Sequence, residues 1–453
     1  MSVPIVAVIG GGQLARMMQE EASALGVHLR ALVEAPDGST AQVTVDGPVG
    51  RADDAEAVRA LVNGSAGSAG SAGSAGSAGA PRPGTGAVAL QSVGRADALT
   101  FEHEHQDSAL LERLQAEGVS VQPTANALLL ARDKLAMRRA IDEAGLPQPV
   151  WAEVGGDAPA MAEQIGAFGD RHGWPVVLKT PRGGYDGHGV LVVDGPRDLR
   201  DSGAEAAAWI VDTAAARAGA ASDGAGGGGS LGGGAVTSLL VERAIPFTRE
   251  LAVLLARSPS GEVRVWPVAQ TVQDGGICSE VVAPAPGLEE ADAARAQRIG
   301  RTVAERFGVT GVLAVELFAV EAAGRPASLY VNELAMRPHN SGHWTQDGAV
   351  TSQFAQHMRA VLDLPLGSSE PTAPATVMVN VLGGRSDPGE DALARALALD
   401  PQVRIHMYGK SRRPGRKLGH VNLVVDPTAD PAAAVAAALA RARAVAAVLR
   451  GDA

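Results

Sequence analysis

The sequence predicts an α/β protein whose N-terminal part is a parallel-sheet domain. Strand and helix patterns alternate over the first 120 residues, as βαβ units do. Farther along, a glycine-rich turn separates two apolar strand patterns, and a strand-rich tail follows residue 366. The 453 residues suit about three domains of roughly 150 residues each. A multidomain enzyme of mixed architecture is therefore expected.

Composition excludes several classes of function. The net charge is −11 and aromatic residues make up 3%, which disfavours a nucleic-acid-binding protein. A single cysteine excludes an internal disulfide framework. No run of 18 uncharged apolar residues occurs, and the N-terminus leads directly into a strand–turn–helix pattern. We therefore expect a cytoplasmic protein with no membrane span and no signal peptide.

Each element of the N-terminal part follows from apolar periodicity. Strands are predicted at 4–9, 27–33 and 96–101, and helices at 13–25, 52–62 and 108–117. Residues 64–84 are mostly Gly, Ser, Ala and Pro without apolar periodicity. This segment is predicted to be a flexible insertion.

The same periodicity predicts the elements of the remaining chain. Helices are expected at 131–144, 291–307 and 432–449, and strands at 174–179, 189–193, 239–242, 250–256, 263–271, 311–320 and 328–334. Residues 219–235 are glycine-rich and predict a second flexible insertion.

The first turn, Gly10-Gly11-Gly12-Gln13-Leu14-Ala15, lies between a strand and a helix. Its glycines permit close backbone approach, and the helix N-terminus offers amides to an anion. Glu34, at the end of the second strand, resembles the ribose-binding acid of dinucleotide folds. A nicotinamide cofactor, another phosphate ligand and simple packing all remain open here.

A second glycine-rich turn runs from Lys179 to Gly189. It is not a Walker motif, because no Gly-Lys-Ser/Thr follows the glycines. Flexible glycine amides near a lysine suit a mobile loop that closes over a polyphosphate, although an ordinary mobile hairpin has the same pattern.

Two strands carry facing carboxylates. A hairpin centred on Gly324 and Arg325 places Glu316 directly opposite Glu333. Like charges in this position destabilise a ladder unless they are compensated, and a magnesium ion would compensate them. Asn332 would add an oxygen if the strand twist allowed it. The alternative is that both glutamates point into solvent.

Further polar runs occur at three places. Residues 337–346 suit a small polar substrate, and residues 102–105 alternate acids and histidines at a strand end, where α/β sheets bind ligands. Zinc is a weaker alternative for that alternation, since no other cluster adds ligands. Residues 408–420 form a basic loop that is either a phosphate clamp or solvated charge.

All four lysines of the chain (against 35 arginines) lie in or near these motifs. Cys278 has no His-Asp setting, so it is expected in the core or a cleft wall.

Together these segments resemble the ATP-grasp superfamily and, within it, the N5-carboxyaminoimidazole ribonucleotide synthase family. The segments that carry the resemblance are GGGQLARMM, TFEHEH, KTPRGGYDGHG, VNELAMRPHNSGHWTQDGA and GRKLGHVN. The resemblance implies an α/β (α+β) ATP-grasp fold. A Rossmann-like pre-ATP-grasp domain is expected at 1–120, an ATP-grasp domain with a mobile lid (about 147–240) at 121–367, and a small β-rich domain at 368–453.

The resemblance also implies the site residues. Nucleotide contacts are expected at Lys134, Lys179, Gly184, Tyr185, Asp186, Gly187, His188, Gly189, Glu242, Arg243, Ala244, Ile245, Glu250, Gln273, Asn332 and Glu333. Magnesium, or manganese, is expected at Glu316 and Glu333, and catalytic roles at Tyr185, Asp186, Arg337, His339 and Asn340. The ribonucleotide and its phosphate are expected at Gly12, Gln13, Leu14, Glu102, Lys410, Arg416 and Lys417.

The implied reaction is the ATP-dependent carboxylation of 5-aminoimidazole ribonucleotide with bicarbonate, through carboxyphosphate, by a homodimer. Gln273 stands where many members have a histidine, and 180–182 is less basic than the residues that often follow the first lysine. We expect these departures to bear on ATP affinity and not on the reaction. Three alternatives stay open. They are a formate- or amino-acid-using ATP-grasp ligase, an NAD(P)-dependent oxidoreductase and a noncatalytic nucleotide-binding module.

Overall fold

The computed structural model describes residues 3–64, 94–184, 189–201, 203–222 and 236–452. Most of both predicted insertions lies outside the described residues. The same is true of four predicted site residues, Tyr185, Asp186, Gly187 and His188.

The N-terminal part contains a three-stranded parallel sheet, as predicted. The strands are β1 (Ile5–Ile9), β2 (His28–Leu32) and β3 (Ala98–Phe101), in the order β2-β1-β3. The helices are α1 (Gln13–Leu25), α2 (Ala55–Asn63) and α3 (Ser108–Ala116). Because neighbouring parallel strands end at the same edge, the turn after β1 and the segment after β3 meet there.

The helix predicted at 131–144 is wrong, because the chain forms two helices there. They are α4 (Ala125–Arg132) and α5 (Lys134–Glu143). Asp133, between them, has an extended backbone (φ −124°, ψ 105°), and its carboxylate accepts the Ala136 N–H at 3.0 Å. An N-cap of this kind satisfies an amide that the new helix leaves without a partner. The break places Lys134 at the first position of α5.

A four-stranded antiparallel sheet follows. Its strands are β4 (Trp151–Val154), β5 (Val176–Lys179), β6 (Val190–Val193) and β7 (Leu239–Arg243), in the order β4-β7-β5-β6. Helices α6 (Ala158–His172) and α7 (Glu205–Ser222) belong to this unit. Apolar side chains of both helices pack on one face of the sheet, for example Met161 and Ile210 against Val176 and Leu239. The sheet delivers Lys179 and Glu242 at strand ends.

The largest sheet has nine strands. They are β8 (Arg249–Arg257), β9 (Val263–Val265), β10 (Ala269–Asp274), β11 (Ile277–Ala283), β12 (Gly311–Ala322), β13 (Arg325–Ala335), β14 (Ala375–Leu382), β15 (Arg404–Met407) and β16 (Lys417–Val425). The order is β13-β12-β8-β10-β11-β14-β16-β15, and β9 pairs with β8. The C-terminal strands thus extend the central sheet through the β11–β14 pair and do not form a sheet of their own.

The single strand predicted at 263–271 is also wrong. It is interrupted between β9 and β10, where Trp266 is fully buried and its indole N–H donates to the Thr351 carbonyl at 3.1 Å. Pro267, next in the chain, has no N–H to give to a ladder. The strand therefore leaves the sheet for three residues.

The remaining helices cover the central sheet or lie beside it. They are α8 (Glu290–Arg306), α9 (Thr345–Gly348), α10 (Gln353–Val361), α11 (Ala392–Leu399) and α12 (Pro431–Arg450), with a 3₁₀ turn at Asn340–Gly342. Among the described helices, α12 alone is long and apolar enough to cross a membrane by length and composition. One face of α12 packs on the C-terminal strands, and its Arg443 pairs with Glu280 of β11 through two bonds of 2.6 Å.

Candidate active site

The hairpin of β12 and β13 places Glu316 opposite Glu333, as the sequence predicts. The register shifts at two points, because Ala322 pairs with Arg325 at the turn and Leu317 pairs with Val331 below the glutamates. The second shift leaves Asn332 as an extra residue, which is a β-bulge. Strict alternation would place Asn332 and Glu333 on opposite faces, whereas the bulge lets both line the same cleft.

The two glutamates have opposite electrostatic environments. Burial, together with the carboxylates of Glu333 and Glu250, raises the pKa of Glu316 to about 8. Burial also opposes ionisation of Glu333, but Lys134 and Lys179 hold the pKa of that carboxyl below its ordinary value, with the Lys134 ammonium 3.2 Å away. Facing carboxylates with this much repulsion suit a divalent cation, so the residues fit magnesium. The described residues contain no cluster of three or more His, Cys, Asp or Glu side chains, so substrate oxygens or water would complete the coordination.

A buried ion triad lies beside this hairpin. The Lys179 ammonium lies 2.9 Å from one Glu242 oxygen, and Arg138 Nε donates to the other at 2.5 Å. Burial opposes ionisation of Glu242, yet the two cations lower its pKa to about 2. Lys179 also donates to the Asn332 side-chain oxygen at 3.1 Å. Both oxygens of Glu242 are therefore engaged, and Lys179 is held in place at the cleft.

The sequence reasoning missed Arg138. Its guanidinium is fully buried and also donates to the backbone carbonyls of Val331 and Asn332, at 2.8 and 3.0 Å. A signal was available, since Lys134 and Arg138 are four residues apart on one helix face. That spacing alone does not distinguish a buried cation from a solvated one.

The cleft that contains Glu316 and Glu333 has a volume of 660 Å³. Among the predicted nucleotide residues, its lining includes Lys134, Lys179, Gly184, Glu242, Arg243, Ala244, Ile245, Glu250, Gln273, Asn332 and Glu333. Phe247 and Phe318, which the sequence did not single out, also line it and stack with ring centroids 4.6 Å apart. Burial raises the pKa of Glu250, an effect that a hydrogen bond with Gln273 opposes. Cys278 is buried in the wall, as expected, and burial raises the pKa of its thiol to about 12.

Arg182 connects the loop after β5 to the start of α5, next to this cleft. It pairs with Asp133 at 2.8 Å, and the Pro181 carbonyl accepts the Lys134 N–H at 2.9 Å. The loop after β5 is thereby fastened to the start of α5. Residues 180–182, which are less basic than in many family members, are thus held by contacts with Asp133 and Lys134.

The second cleft has a volume of 900 Å³ and lies at the carboxyl edge of the N-terminal sheet. It collects all seven predicted ribonucleotide residues, namely Gly12, Gln13, Leu14, Glu102, Lys410, Arg416 and Lys417. Glu102 accepts the backbone N–H groups of Gly12 and Leu14, and a Cβ on Gly12 would lie 2.0 Å from its Oε1. Any larger residue at position 12 would displace the Glu102 carboxylate from these bonds.

The cationic side of this cleft comes from the far end of the chain. Lys410 donates to the Gln13 side chain. Burial lowers the pKa of Lys410 and the charges of Arg416 and Lys417 lower it further, although Glu102 opposes them. Crowded cations of this kind favour an anionic ligand such as a phosphate.

The two clefts share one wall. The residues that line both are Glu104, His105, Arg337, His339, Asn340 and Lys417. Arg337 Nε donates to Glu104 at 2.8 Å, and His339 Nε2 lies 3.6 Å from Glu316. A group that reacts in one cleft can therefore meet a ligand of the other at this wall.

Comparisons with protein families agree with this architecture. Residues 3–66 match the ribonucleotide synthetase preATP-grasp domain, and residues 139–354 match the ATP-grasp domain. Residues 376–433 match the phosphoribosylaminoimidazole carboxylase C-terminal domain.

Individual relatives match over nearly the whole chain. The N5-carboxyaminoimidazole ribonucleotide synthase of Mycobacterium tuberculosis is 42% identical over 424 residues, which cover 93% of this chain and 83% of the relative. The carboxyaminoimidazole ribonucleotide synthase of Aspergillus clavatus complexed with ATP has a TM-score of 0.76 at 28% identity, covering 100% of this chain and 99% of that one. The same fungus's enzyme in complex with ADP and 5-aminoimidazole ribonucleotide has a TM-score of 0.75 at 26% identity, covering 99% of each chain.

Proposed function

Because the chain belongs to the N5-carboxyaminoimidazole ribonucleotide synthase family, we propose that it carboxylates 5-aminoimidazole ribonucleotide at the expense of ATP. Bicarbonate supplies the carbon, and the products are N5-carboxyaminoimidazole ribonucleotide, ADP and phosphate, in de novo purine biosynthesis. The observation that carries the proposal is the pair of clefts with one shared wall. One cleft is built for a nucleotide polyphosphate, and the other combines a glycine turn with three clustered cations. Family membership favours this activity over the nicotinamide-dependent alternative.

We assign ATP to the 660 Å³ cleft. Lys134 and Lys179 bring two ammonium groups to its phosphate end, and Gly184 and Gly189 flank the segment that we expect to close over the phosphates. Residues 242–245 and Glu250 form the side on which we place the adenine and the ribose. Phe247, stacked on Phe318, adds apolar surface to that side. A solved relative with ATP bound supports this assignment.

We assign magnesium to Glu316 and Glu333. When bound there, magnesium neutralises charge on the phosphate oxygens and on the two carboxylates. Lys134 and Lys179 supply further positive charge at the same end of the cleft, where negative charge is concentrated during phosphoryl transfer. Burial and the neighbouring carboxylates raise the pKa of Glu316, so a cation bound there would relieve the repulsion between the two glutamates.

We assign the ribonucleotide to the 900 Å³ cleft, with its phosphate at Lys410, Arg416 and Lys417. The Gly12 turn and Glu102 then face the sugar and base. A relative solved with 5-aminoimidazole ribonucleotide supports this assignment. The exocyclic amine of the ligand would point to the shared wall.

The carboxylation step belongs to the shared wall. Bicarbonate, held by Arg337, His339 and Asn340, attacks the γ-phosphoryl group of ATP and forms carboxyphosphate. Exclusion of water protects that intermediate, which releases CO₂ for capture by the amine. We assign proton handling to His339 or Asp186; Asp186 and Tyr185, for which the resemblance implies catalytic roles, lie outside the described residues. We also propose that the protein is a cytoplasmic homodimer.

The test measures ADP release with magnesium-ATP and bicarbonate, with and without 5-aminoimidazole ribonucleotide. We expect the ribonucleotide to stimulate release, and Glu333→Gln to abolish the stimulation. Glu321→Gln is the matched control, because Glu321 is on the same hairpin but pairs with Arg249 outside both clefts. No stimulation by this ribonucleotide would contradict the proposal. Stimulation by glycinamide ribonucleotide with formate instead would assign the protein to the formate-using ligases.

A further inference from the structure

Gln353 holds the backbone of His339 behind the shared wall. Gln353 begins α10 and is fully buried. Its side-chain oxygen accepts the His339 N–H at 2.8 Å, and its side-chain nitrogen donates to the His339 carbonyl at 2.8 Å. One primary amide therefore satisfies both backbone groups of one residue, as the opposite residue of a β-ladder does.

The same glutamine fastens the far end of the loop. Its backbone N–H donates to Thr345 Oγ1 at 2.9 Å, and that hydroxyl donates to the Gly342 carbonyl at 2.6 Å. Its side-chain nitrogen also lies 2.9 Å from His343 Nδ1. Residues 339–345 are thus tied to one helical residue at three points.

The His339 ring is fixed as a consequence. Its Nδ1 lies 2.9 Å from the Ser341 hydroxyl and accepts the Ser341 N–H at 3.4 Å. The remaining nitrogen, Nε2, is directed at Glu316, 3.6 Å away. With the backbone clamped and Nδ1 engaged, the imidazole has one orientation at the wall where the two clefts meet.

We propose that Gln353 is a positioning residue for the carboxylation step, which it serves by fixing the place of His339. Gln353 is not among the described residues that line either cleft, so it does not touch substrate. The inference rests on the proposed function, because it takes the shared wall to be the site of carboxylation. Small displacements of such a group lower rates strongly, by roughly 100-fold for about 1 Å.

The chain supplies a matched control on the same helix. Gln356 is also fully buried, and its side chain donates to the Gly367 carbonyl and accepts the Gly367 N–H, both at 2.8 Å. Each glutamine side chain thus makes a pair of hydrogen bonds to the backbone N–H and carbonyl of a single residue. Gly367 lines neither cleft, so the Gln356 clamp acts outside the site.

The experiment compares Gln353→Met with Gln356→Met in the full-length protein. Q356M removes the two hydrogen bonds to Gly367, whereas Q353M removes the two to His339 and the contact with His343, so we expect Q353M to lose at least as much thermal stability as Q356M. Only Q353M is expected to lower the kcat of ribonucleotide-dependent carboxylation, by roughly 10- to 100-fold. We expect its KM for ATP to stay within about twofold of wild type, since the nucleotide cleft keeps its contacts.

A second readout is the number of ADP molecules released per carboxylated product. This ratio is expected to rise in Q353M, because a displaced His339 lets carboxyphosphate decompose unused, and to stay at the wild-type value in Q356M. If Q353M does not fold, Gln353→Glu against Gln356→Glu makes the same comparison, since glutamate keeps the acceptor and loses the donor. Equal kcat and equal coupling in both variants would overturn the inference and leave the proposed function standing. A wild-type protein that forms no carboxylated product would overturn both.

Discussion

At the scale of single residues, the site contains ionised side chains that are buried next to side chains of opposite charge. Arg138 and Arg139 are adjacent on α5, and each pairs with a glutamate at 2.5 Å. Arg138 is buried against Glu242 of β7, whereas Arg139 pairs in solvent with Glu153 of the neighbouring β4. Two ion pairs of equal length thus differ mainly in their exposure.

The first prediction compares these two pairs. Glu242→Gln leaves Arg138 and Lys179 without a counter-charge inside the protein, so we expect a loss of about 3–5 kcal/mol in the free energy of unfolding. Glu153→Gln should cost at most about 1 kcal/mol, since solvent screens its pair. Urea unfolding of both variants gives the two values. Equal losses would show that burial does not decide the contribution.

The second prediction concerns pH and His357. His357 Nδ1 accepts the Val312 N–H at 3.0 Å, Nε2 lies 2.9 Å from Thr100 Oγ1, and burial lowers the pKa of the ring to about 3. Between that value and the ordinary pKa of about 6.5, the unfolded chain binds a proton that the folded protein excludes. The contribution of His357 to stability is therefore fully present above pH 6.5 and is lost as the pH drops toward 3.

The measurement is urea unfolding of wild type and His357→Gln at pH 7 and pH 5. Burial also lowers the pKa of His343 and His420 well below the usual value, so both proteins lose stability on acidification. We expect wild type to lose about 2 kcal/mol more than the variant. Identical losses would mean that His357 is not the neutral buried group described here.

At the scale of elements, helix starts and a bulge aim the functional side chains. The Asp133 cap begins α5 at Lys134, and the bulge in β13 turns Asn332 toward Lys179. Neither device is regular secondary structure. The cap interrupts a helical pattern just before Lys134, and the bulge interrupts the alternation of β13 at Asn332.

The third prediction tests the α5 cap. Asp133→Ala removes the bond to Ala136 N–H and the partner of Arg182, whereas Asp157→Ala removes an equivalent cap, at 2.9 Å, from α6. Each loss should cost about 1 kcal/mol of stability. Only the Asp133 variant is expected to raise the KM for ATP, because Lys134 begins that helix. Steady-state kinetics give the KM for ATP, and thermal unfolding gives the stability loss of each variant. An equal KM for ATP in the two variants would contradict the prediction that the α5 cap positions Lys134.

At the scale of the whole molecule, the 900 Å³ cleft that we assign to the ribonucleotide is lined by segments from both ends of the chain. Ser39 donates to the Tyr408 carbonyl at 2.6 Å, and Gln42 donates to the Gly409 carbonyl at 2.7 Å. These bonds bring Lys410 beside the first turn. The basic loop is therefore part of the site, although it is almost 400 residues away along the chain.

The fourth prediction tests this closure with Gly409→Ala. Gly409 has φ 62°, and an added Cβ would collide with the end of the Gln42 side chain, so the bond from Gln42 to the Gly409 carbonyl must break or shift. Gly118→Ala is the control, because Gly118 has φ 77° with nothing within 4 Å of the added atom. Both should lose about 1 kcal/mol from backbone strain. Only G409A is expected to raise the KM for the ribonucleotide, by roughly tenfold, and an unchanged KM would contradict the docking described.

Particular residues show which structural features could be predicted from the sequence. The pairing of Glu316 with Glu333 was predicted correctly, but from a turn centred on Gly324 and Arg325, whereas Ala322 pairs with Arg325 and the two register shifts restore the pairing. The exact β12–β13 turn was not predicted, since the two register shifts depend on packing against neighbouring strands. The single helix expected at 131–144 and the single strand at 263–271 failed for the same reason: a cap and a buried tryptophan outweighed the local pattern.

The sequence by itself determined the fold class, the parallel N-terminal sheet, the facing glutamates and the family, because these follow from local periodicity and from motifs of distinctive residue types. Tertiary structure alone decided that Arg138 is buried against Glu242, that Arg337, His339 and Asn340 line both clefts, and that Gln353 clamps His339. Those arrangements depend on contacts between residues far apart in sequence. Whether such a side chain is buried, paired or solvated depends on which elements pack around it.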